Sequence, residues 1–374
     1  MESILQIQNL GVSFRRNGTT MPVVDGVSLH VPKGATVALV GESGCGKSVT
    51  ALSVLRLVPR PPACFESGRI LFHDSPNGGA VDLLTISERE LRRIRGRRIA
   101  MIFQEPMTAL NPVMTIGQQI VEAVQVHRPI GRRPARALAV EALRSVRIDD
   151  PQQRVDAYPH QLSGGMRQRA MIAMALICEP AVLIADEPTT ALDPTIQLQL
   201  LTLLKDLQRQ SGLSILLITH DLGAVREFAD YVYVMYAGRI VEQAPVDELY
   251  ANPLHPYTQG LLRCTPRLDG PRDRLEVIPG TVPDFSQLPT GCRFHPRCAT
   301  STQRACEGNR AVLSVDAGNG PQVLKRCVEN YEAEPSGMPS LKEYVDGHFA
   351  ACWEISEVRV SRQSPVEKMG DRKN

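Results

Sequence analysis

A parallel α/β fold is what this sequence predicts, and three observations carry the prediction. From Gly34 to about Ile240 short apolar runs alternate with longer helix-like segments. Three of the runs, Thr36 to Val40, Ala181 to Ala185 and Ser214 to Thr219, are short, aliphatic or β-branched, and ended by a polar or glycine residue, as buried strands are. Each leads into residues with chemistry: a glycine-rich loop, an Asp-Glu pair and a histidine.

The chain has 374 residues, 43% of them hydrophobic and 22% charged, enough for more than one domain. Its formal net charge of +2 gives no basic excess for phosphate-backbone contact, so no nucleic acid partner is expected. The longest apolar stretch, Ala170 to Cys178, stops at Glu179 and Pro180, short of the ~18 to 20 residues that a membrane-spanning helix needs. The opening MESILQIQNL carries Glu2 and no basic region followed by an apolar one, so no secretory signal is expected and the protein should stay in the cytosol. In that reducing setting nine cysteines point to metal binding, catalysis or burial before a disulfide framework.

Taken in order, Leu10 to Phe14 reads as a strand. Gly41-Glu42-Ser43-Gly44-Cys45-Gly46-Lys47-Ser48 follows the Thr36 to Val40 strand and precedes the apolar helix pattern of Val49 to Val58, which is the setting of a P-loop. Glycines there let successive N–H groups and a helix N-terminus converge on phosphates, with Lys47 reaching the β- and γ-phosphates and Ser48 offering a hydroxyl to Mg²⁺. Leu83 to Cys178, with amphipathic Ile116 to His127 and Arg-Ala-rich Gly131 to Val146, reads as a helical subdomain inserted into the sheet domain. Val182 to Ala185 then delivers Asp186, an oxygen ligand suited to Mg²⁺, and Glu187, placed to orient or deprotonate an attacking water. Tyr231 to Met235 and Arg239 to Gln243 flank Tyr236-Ala237-Gly238 as a hairpin. From about Ala251 a proline-rich, cysteine-containing stretch reads as a separate, loop-rich extension, and Ser361 to Asn374 as disordered.

Leu162-Ser163-Gly164-Gly165-Met166-Arg167-Gln168-Arg169 resembles the signature sequence of ABC ATPases, and stands just before the helix leading to Asp186, as in that family. The resemblance spans most of residues 1 to 245 and implies the P-loop NTPase fold of an ABC ATPase, binding ATP and Mg²⁺. It further implies Gln104 as the Q-loop glutamine touching the metal, Ala191-Leu192-Asp193 as the D-loop, His220 as the switch histidine, and Phe14 as the aromatic residue stacking on adenine. Val49 completes the phosphate-binding stretch, and Ser163, Gly164 and Gly165 would close over an ATP held by a second subunit, making a hetero- or homodimer.

Beyond the ATPase part, His255-Pro256-Tyr257-Thr258-Gln259-Gly260-Leu261, Gly291 to Cys298 and His348-Phe349-Ala350-Ala351-Cys352 resemble the C-terminal extension of oligopeptide, dipeptide and nickel importer ATPases. Gln104 to Pro112 resembles the segment of that group that meets the permease. The expected division is therefore residues 1–250 as ATPase domain, with helices at about 83–178, residues 251–352 as extension and 353–374 as tail. The implied assembly is an importer at the cytoplasmic face of the cell membrane, with two permease subunits, an extracytoplasmic solute-binding protein and a second ATPase. Peptide is the expected cargo, nickel or another small solute the alternative; a soluble ABC ATPase is a third reading, disfavoured by a single P-loop and signature.

Cys292, Cys298 and Cys306 follow one another in a loop too poor in apolar residues for a strong core of its own, where a metal staple would help folding. Cys352 is the expected fourth ligand and Cys327 its competitor. The resemblance implies a [4Fe–4S] cluster; spacing alone leaves zinc or plain thiols open.

Overall fold

The computed structural model describes residues 2–16, 18–74, 79–104, 109–190, 192–264, 277–298, 339–345 and 347–352. Along the chain run β1 (Ser3–Arg16), β2 (Thr19–Pro32), β3 (Thr36–Val40), α1 (Lys47–Val54), β4 (Ala63–Phe72), β5 (Val81–Asp82), α2 (Glu88–Ile94) and β6 (Ile99–Ile102). They are followed by α3 (Ile116–Gln125), α4 (Arg132–Ser145), α5 (Gly164–Leu176), β7 (Val182–Asp186), α6 (Pro194–Ser211), β8 (Ser214–Thr219), α7 (Leu222–Phe228), β9 (Tyr231–Tyr236), β10 (Arg239–Pro245), α8 (Pro256–Cys264), β11 (Lys342–Val345) and β12 (His348–Ala350).

The main sheet has the order β11-β12-β10-β9-β3-β8-β7-β6. Its β9-β3-β8-β7-β6 stretch is parallel, and the three expected strands occupy its centre with at most a one-residue shift at β7. Both faces of these strands are covered, which is why their sequences are apolar throughout and not alternating. Val37 and Leu39 enter one core while Ala38 and Val40 enter another, and β8 likewise splits Leu216 and Ile218 from Ile215 and Leu217.

The first core lies under a four-stranded antiparallel sheet, β2-β1-β4-β5, into which the short expected strand at Leu10 to Phe14 expands. The second core packs Ile116, Ile120, Ala139, Leu143 and Met171 of the helical layer against Leu183, Ala185, Ile215 and Leu217. The helix α3 starts on a capping box in which Thr115 accepts from the Gln118 N–H and Gln118 reaches back, while the Ile116 and Gly117 N–H groups donate to the Ala157 and Val155 carbonyls at 2.9 and 2.7 Å.

The expected helical insert begins later than Leu83. Leu83, Leu91, Ile94 and Ile99 belong to the first core, and Ile99–Ile102 pairs with β7 as the edge strand of the main sheet. The strand is a short apolar run between Arg97-Arg98 and Gln104-Glu105, set in a region that otherwise reads as helical.

The extension differs more from expectation, because its described part is not a separate unit. β12 pairs antiparallel with β10 and so continues the main sheet, while Tyr257 and Phe294 sit in a third core together with Ala38, Val40, Val232, Val234 and Tyr236. The segment lacks apolar residues for a core of its own because it borrows half of one. Glu242 of β10 is fully buried and satisfied by this packing: its carboxylate accepts from the Leu254 and His255 N–H groups at 2.8 Å each and lies 2.7 Å from His348 Nε2. Among the described residues no helix is long and apolar enough to cross a membrane.

Candidate functional site

Where β3 ends, the chain turns back on itself through Gly41 and enters α1 at Gly46, whose φ of 107° is a conformation that glycine alone adopts readily. The space is as restrictive as the angle. A Cβ on Gly46 would stand 2.7 Å from the Val23 carbonyl oxygen, and one on Gly41 2.2 Å from that of Met235. Cys45 between them points inward to the first core, and its buried thiol is pushed above its usual pKa. Gly41 and Gly46 thus keep the backbone of the loop tightly curled, a shape suited to receiving an anion.

Lys47 is buried, and its Nζ donates to the carbonyls of Gly41 at 2.8 Å and Glu42 at 2.9 Å, spanning the loop that a phosphate would fill. One residue on, Ser48 Oγ donates to Asp186 Oδ1 at 3.1 Å, linking the first turn of α1 to the end of β7. Asp186 and Glu187 are only 5% and 7% exposed, adjacent acids in a site with little water. Burial raises the Asp186 pKa, the Ser48 hydroxyl opposes that, and the neighbouring Glu187 charge adds to it. A site that disfavours its own carboxylate charge, and is built of oxygen donors, fits a bound divalent cation.

Glu187 leaves the strand with φ 47°, a left-handed backbone uncommon for a non-glycine residue, and its N–H is held by the Ile218 carbonyl at 2.9 Å. That turn aims its carboxylate at three partners: Gln104 Nε2 donates to Oε2 at 3.0 Å, Thr190 Oγ1 at 2.9 Å, and His220 Nδ1 lies 3.4 Å away. The fold therefore gathers Gln104, Lys47, Ser48, Asp186, Glu187 and His220, drawn from the ends of four parallel strands, into one cluster.

Phe14, half-buried on β1, lines a cavity of about 820 Å³ with Ser43, Gly44 and Val49 at the mouth of the P-loop. Ser163, Gly164 and Gly165 stand elsewhere. Ser163 caps α5 by accepting from the Met166 N–H at 3.3 Å, and Ser163 and Gly164 are exposed, outside the hydrogen-bonded cluster around Glu187. The helix α5 is nevertheless tied to the segment that follows β7, since Gln168 Nε2 donates to the Pro188 carbonyl at 2.5 Å. Asp193 caps α6 through the Ile196 N–H at 3.0 Å, a role its D-loop reading did not include. Ala191 lies outside the described residues.

Sequence reasoning missed Thr190, Tyr257 and Arg297. Tyr257 Oη accepts from the Glu42 N–H at 2.9 Å, and Arg297 Nη2 donates to Glu42 Oε1 at 2.9 Å while Nη1 takes Oε2, so the extension holds the P-loop from outside. Thr190 was readable as a hydroxyl three residues after Glu187; the other two leave no local signal.

The cysteine set is not brought together among the described residues: no group of three or more His, Cys, Asp or Glu side chains there is placed to hold a metal ion. Cys306 and Cys327 lie outside them. Nor does the extension lack a core for a metal staple to replace: Cys292 and Cys298 pack against the third core that it shares with the ATPase part.

Residues 24–190 match the ABC transporter family, and residues 241–306 match the C-terminal region of oligopeptide/dipeptide transporters. The chain is 50% identical over 318 residues to the oligopeptide transport ATP-binding protein AppD of Bacillus subtilis, covering 85% of this chain and 95% of that one. A probable peptide ABC transporter ATP-binding protein of Sinorhizobium fredii is 48% identical over 356 residues, covering 95% of this chain and 96% of the relative. Among solved structures, cbiO1 of Clostridium perfringens, part of an ABC transporter complex, aligns with TM-score 0.56 at 27% identity over 67% of this chain and 92% of that one. A dimeric ATP-binding cassette in a post-hydrolysis state with ADP and Pi shares the fold, with TM-score 0.57 at 24% identity over 65% of this chain and 98% of that one. With such identity along nearly the whole of both chains, the protein belongs to the ATP-binding proteins of ABC transporters, in the group that carries the oligopeptide/dipeptide transporter C-terminal region.

Proposed function

We propose that this chain is the ATP-hydrolysing subunit of an importer of di- or oligopeptides, and that its hydrolytic centre is the cluster around Glu187. The observation that carries the reading is the carboxylate of Glu187, held by Gln104 and Thr190 beside His220 and one residue from the Asp186–Ser48 pair. The Gly41 to Ser48 loop receives the phosphates, and Lys47 exchanges its two carbonyl partners for the β- and γ-oxygens. Ser48, Asp186 and Gln104 would hold Mg²⁺, which would supply positive charge to the phosphate oxygens. Glu187 accepts the proton of the attacking water, and His220, exposed beside it, contacts the γ-phosphate.

The exposed Ser163 and Gly164 at the start of α5 support a shared site in which a second ATPase subunit, identical or related, closes on ATP. ATP then joins two subunits and its hydrolysis releases them, driving two permease subunits fed by an extracytoplasmic solute-binding protein from the cytoplasmic face of the membrane. A [4Fe–4S] or zinc site on Cys292, Cys298, Cys306 and Cys352 is proposed on the family resemblance alone; iron, zinc and sulfide analysis of anaerobically purified protein tests it, and protein with no metal removes it.

The test of function is purification of the chain from membranes with its bound subunits, followed by ATPase assay in proteoliposomes. Peptide delivered with the binding protein should stimulate hydrolysis; stimulation by nickel and not by peptide would replace the cargo, and isolation without any membrane subunit would overturn the importer.

A further inference from the structure

The cavity beside the P-loop that Phe14 lines is completed by the extension: Val282, Pro283 and Phe285 share it with Ser43, Gly44 and Phe14. Nothing in the ATPase part demands this. The extension reaches that position because Arg297, bound to both carboxylate oxygens of Glu42, also donates through Nε to the Pro279 carbonyl at 2.8 Å, fixing the start of the 278–285 segment against the P-loop. Further along, Asp284 accepts from the Ser286 N–H at 2.7 Å and the Ser286 hydroxyl at 2.6 Å, a side-chain turn that sets the path of the chain at Phe285. The Phe285 ring lies over Gly238, with Cε1 3.3 Å from where a Cβ would stand, and Gly238 in turn donates its N–H to the Cys45 carbonyl of the P-loop at 2.8 Å. Phe285 is only half-buried there, with a large apolar surface facing a cavity that opens on the phosphate loop.

We propose that Phe285 is a second aromatic wall of the base site, so that the purine of a bound adenine nucleotide is stacked between Phe14 of the ATPase part and Phe285 of the extension. An aromatic ring held by the same loop that holds the phosphates adds affinity without sequence-specific hydrogen bonds, and the planar base has a face for each ring. The extension thereby becomes part of the nucleotide site and not only a neighbour of it. The inference rests on the ATP-hydrolysing reading and goes beyond it by assigning a nucleotide contact outside the ATPase motifs.

The experiment is equilibrium binding of ATP and ADP to the full-length chain, its Phe285→Ala and Phe285→Tyr variants, each checked by thermal melting without nucleotide. Loss of one stacked ring should weaken Phe285→Ala about tenfold for both nucleotides, because the base is common to both, with Phe285→Tyr close to the parent. In parallel, Phe285→Trp should show more fluorescence quenching or energy transfer on adding a fluorescent-ribose ATP than the parent, whose single tryptophan serves as the baseline. Unchanged affinity in Phe285→Ala, or a loss for ATP without one for ADP, overturns the inference while leaving the enzyme reading intact. If Phe285→Ala does not fold, absence of the tryptophan signal overturns it. A parent chain that binds no adenine nucleotide overturns both.

Discussion

Arg297 grips the carboxylate of Glu42 with both terminal nitrogens across 255 residues of sequence, joining the far end of the chain to the second residue of the P-loop. Arg297 is itself buried, and the pair raises its already high pKa, so the guanidinium is a fixed cation. Removing it leaves Glu42 with Lys47 on its carbonyl but no partner for its side chain. Arg297→Ala should cost about 2 kcal/mol in urea unfolding, the range for a lost charged hydrogen-bonded partner. A double-mutant cycle with Glu42→Ala should return a coupling of at least about 1 kcal/mol; additive effects would show that the pair contributes nothing beyond packing.

Hydrolysis should fail before binding does when Glu187 loses its charge. Glu187→Gln keeps the size of the side chain and its contacts to Gln104 and Thr190, so ATP affinity should persist while turnover in the assembled transporter drops by about 10² or more. A variant that turns over at the parent rate would place the base elsewhere.

Gly46 admits no side chain. In Gly46→Ala the new Cβ meets the Val23 carbonyl at 2.7 Å with the backbone in a left-handed conformation, so the loop must shift. Strain on the order of 1–3 kcal/mol should appear in thermal unfolding, with ATP binding lost in the same variant. Gly44, where a Cβ meets nothing within 4 Å, serves as control: its Ala variant should be strained by φ alone and bind with intermediate affinity.

Ser163 should matter for dimerisation and not for this chain's own nucleotide. Because Ser163 is exposed and takes no part in the cluster around Glu187, Ser163→Arg should leave ATP binding to the isolated chain intact and block ATP-driven dimerisation in a Glu187→Gln background, measured by sedimentation. Loss of binding in the isolated chain would contradict a site completed in trans.

Burial lowers the His255 pKa to about 4 from its ordinary 6.5, so the folded protein takes up this proton later than the unfolded chain does. As pH falls through that window the unfolded state binds the proton first and stability declines; above about pH 6.5 the effect is absent. The full loss, reached near pH 4, is on the order of 3 kcal/mol. Comparing His255→Asn with the parent in urea unfolding from pH 7 to 4 should show a shallower pH slope in the variant, and parallel slopes would rule out His255 as the group responsible.

Much of the nucleotide site was legible because its parts are contiguous. Gly41 to Ser48 is one loop, Asp186 and Glu187 are consecutive, and each follows a short run of buried residues, Thr36–Val40 and Val182–Ala185, whose composition announces a central strand. Gln104, His220 and the Ser163 to Gly165 triplet were found by resemblance to a family. Local chemistry would not have raised a lone histidine after a strand or a serine before a helix. The antiparallel sheet was mostly missed, since β1 and β2 carry bulges and irregular shifts of register that break the period-2 pattern.

By itself, then, the sequence determined the parallel α/β core, the P-loop and the acids that face it, because those features follow from short-range periodicity and spacing. The tertiary structure alone decided that the extension shares the ATPase core, that Arg297 and Tyr257 brace Glu42, and that Phe285 lines one cavity with Phe14 and the P-loop. The contacts on Glu42 join residues more than two hundred positions apart, and neither buried charge nor aromatic packing leaves a periodic trace in the chain that must come together to satisfy it.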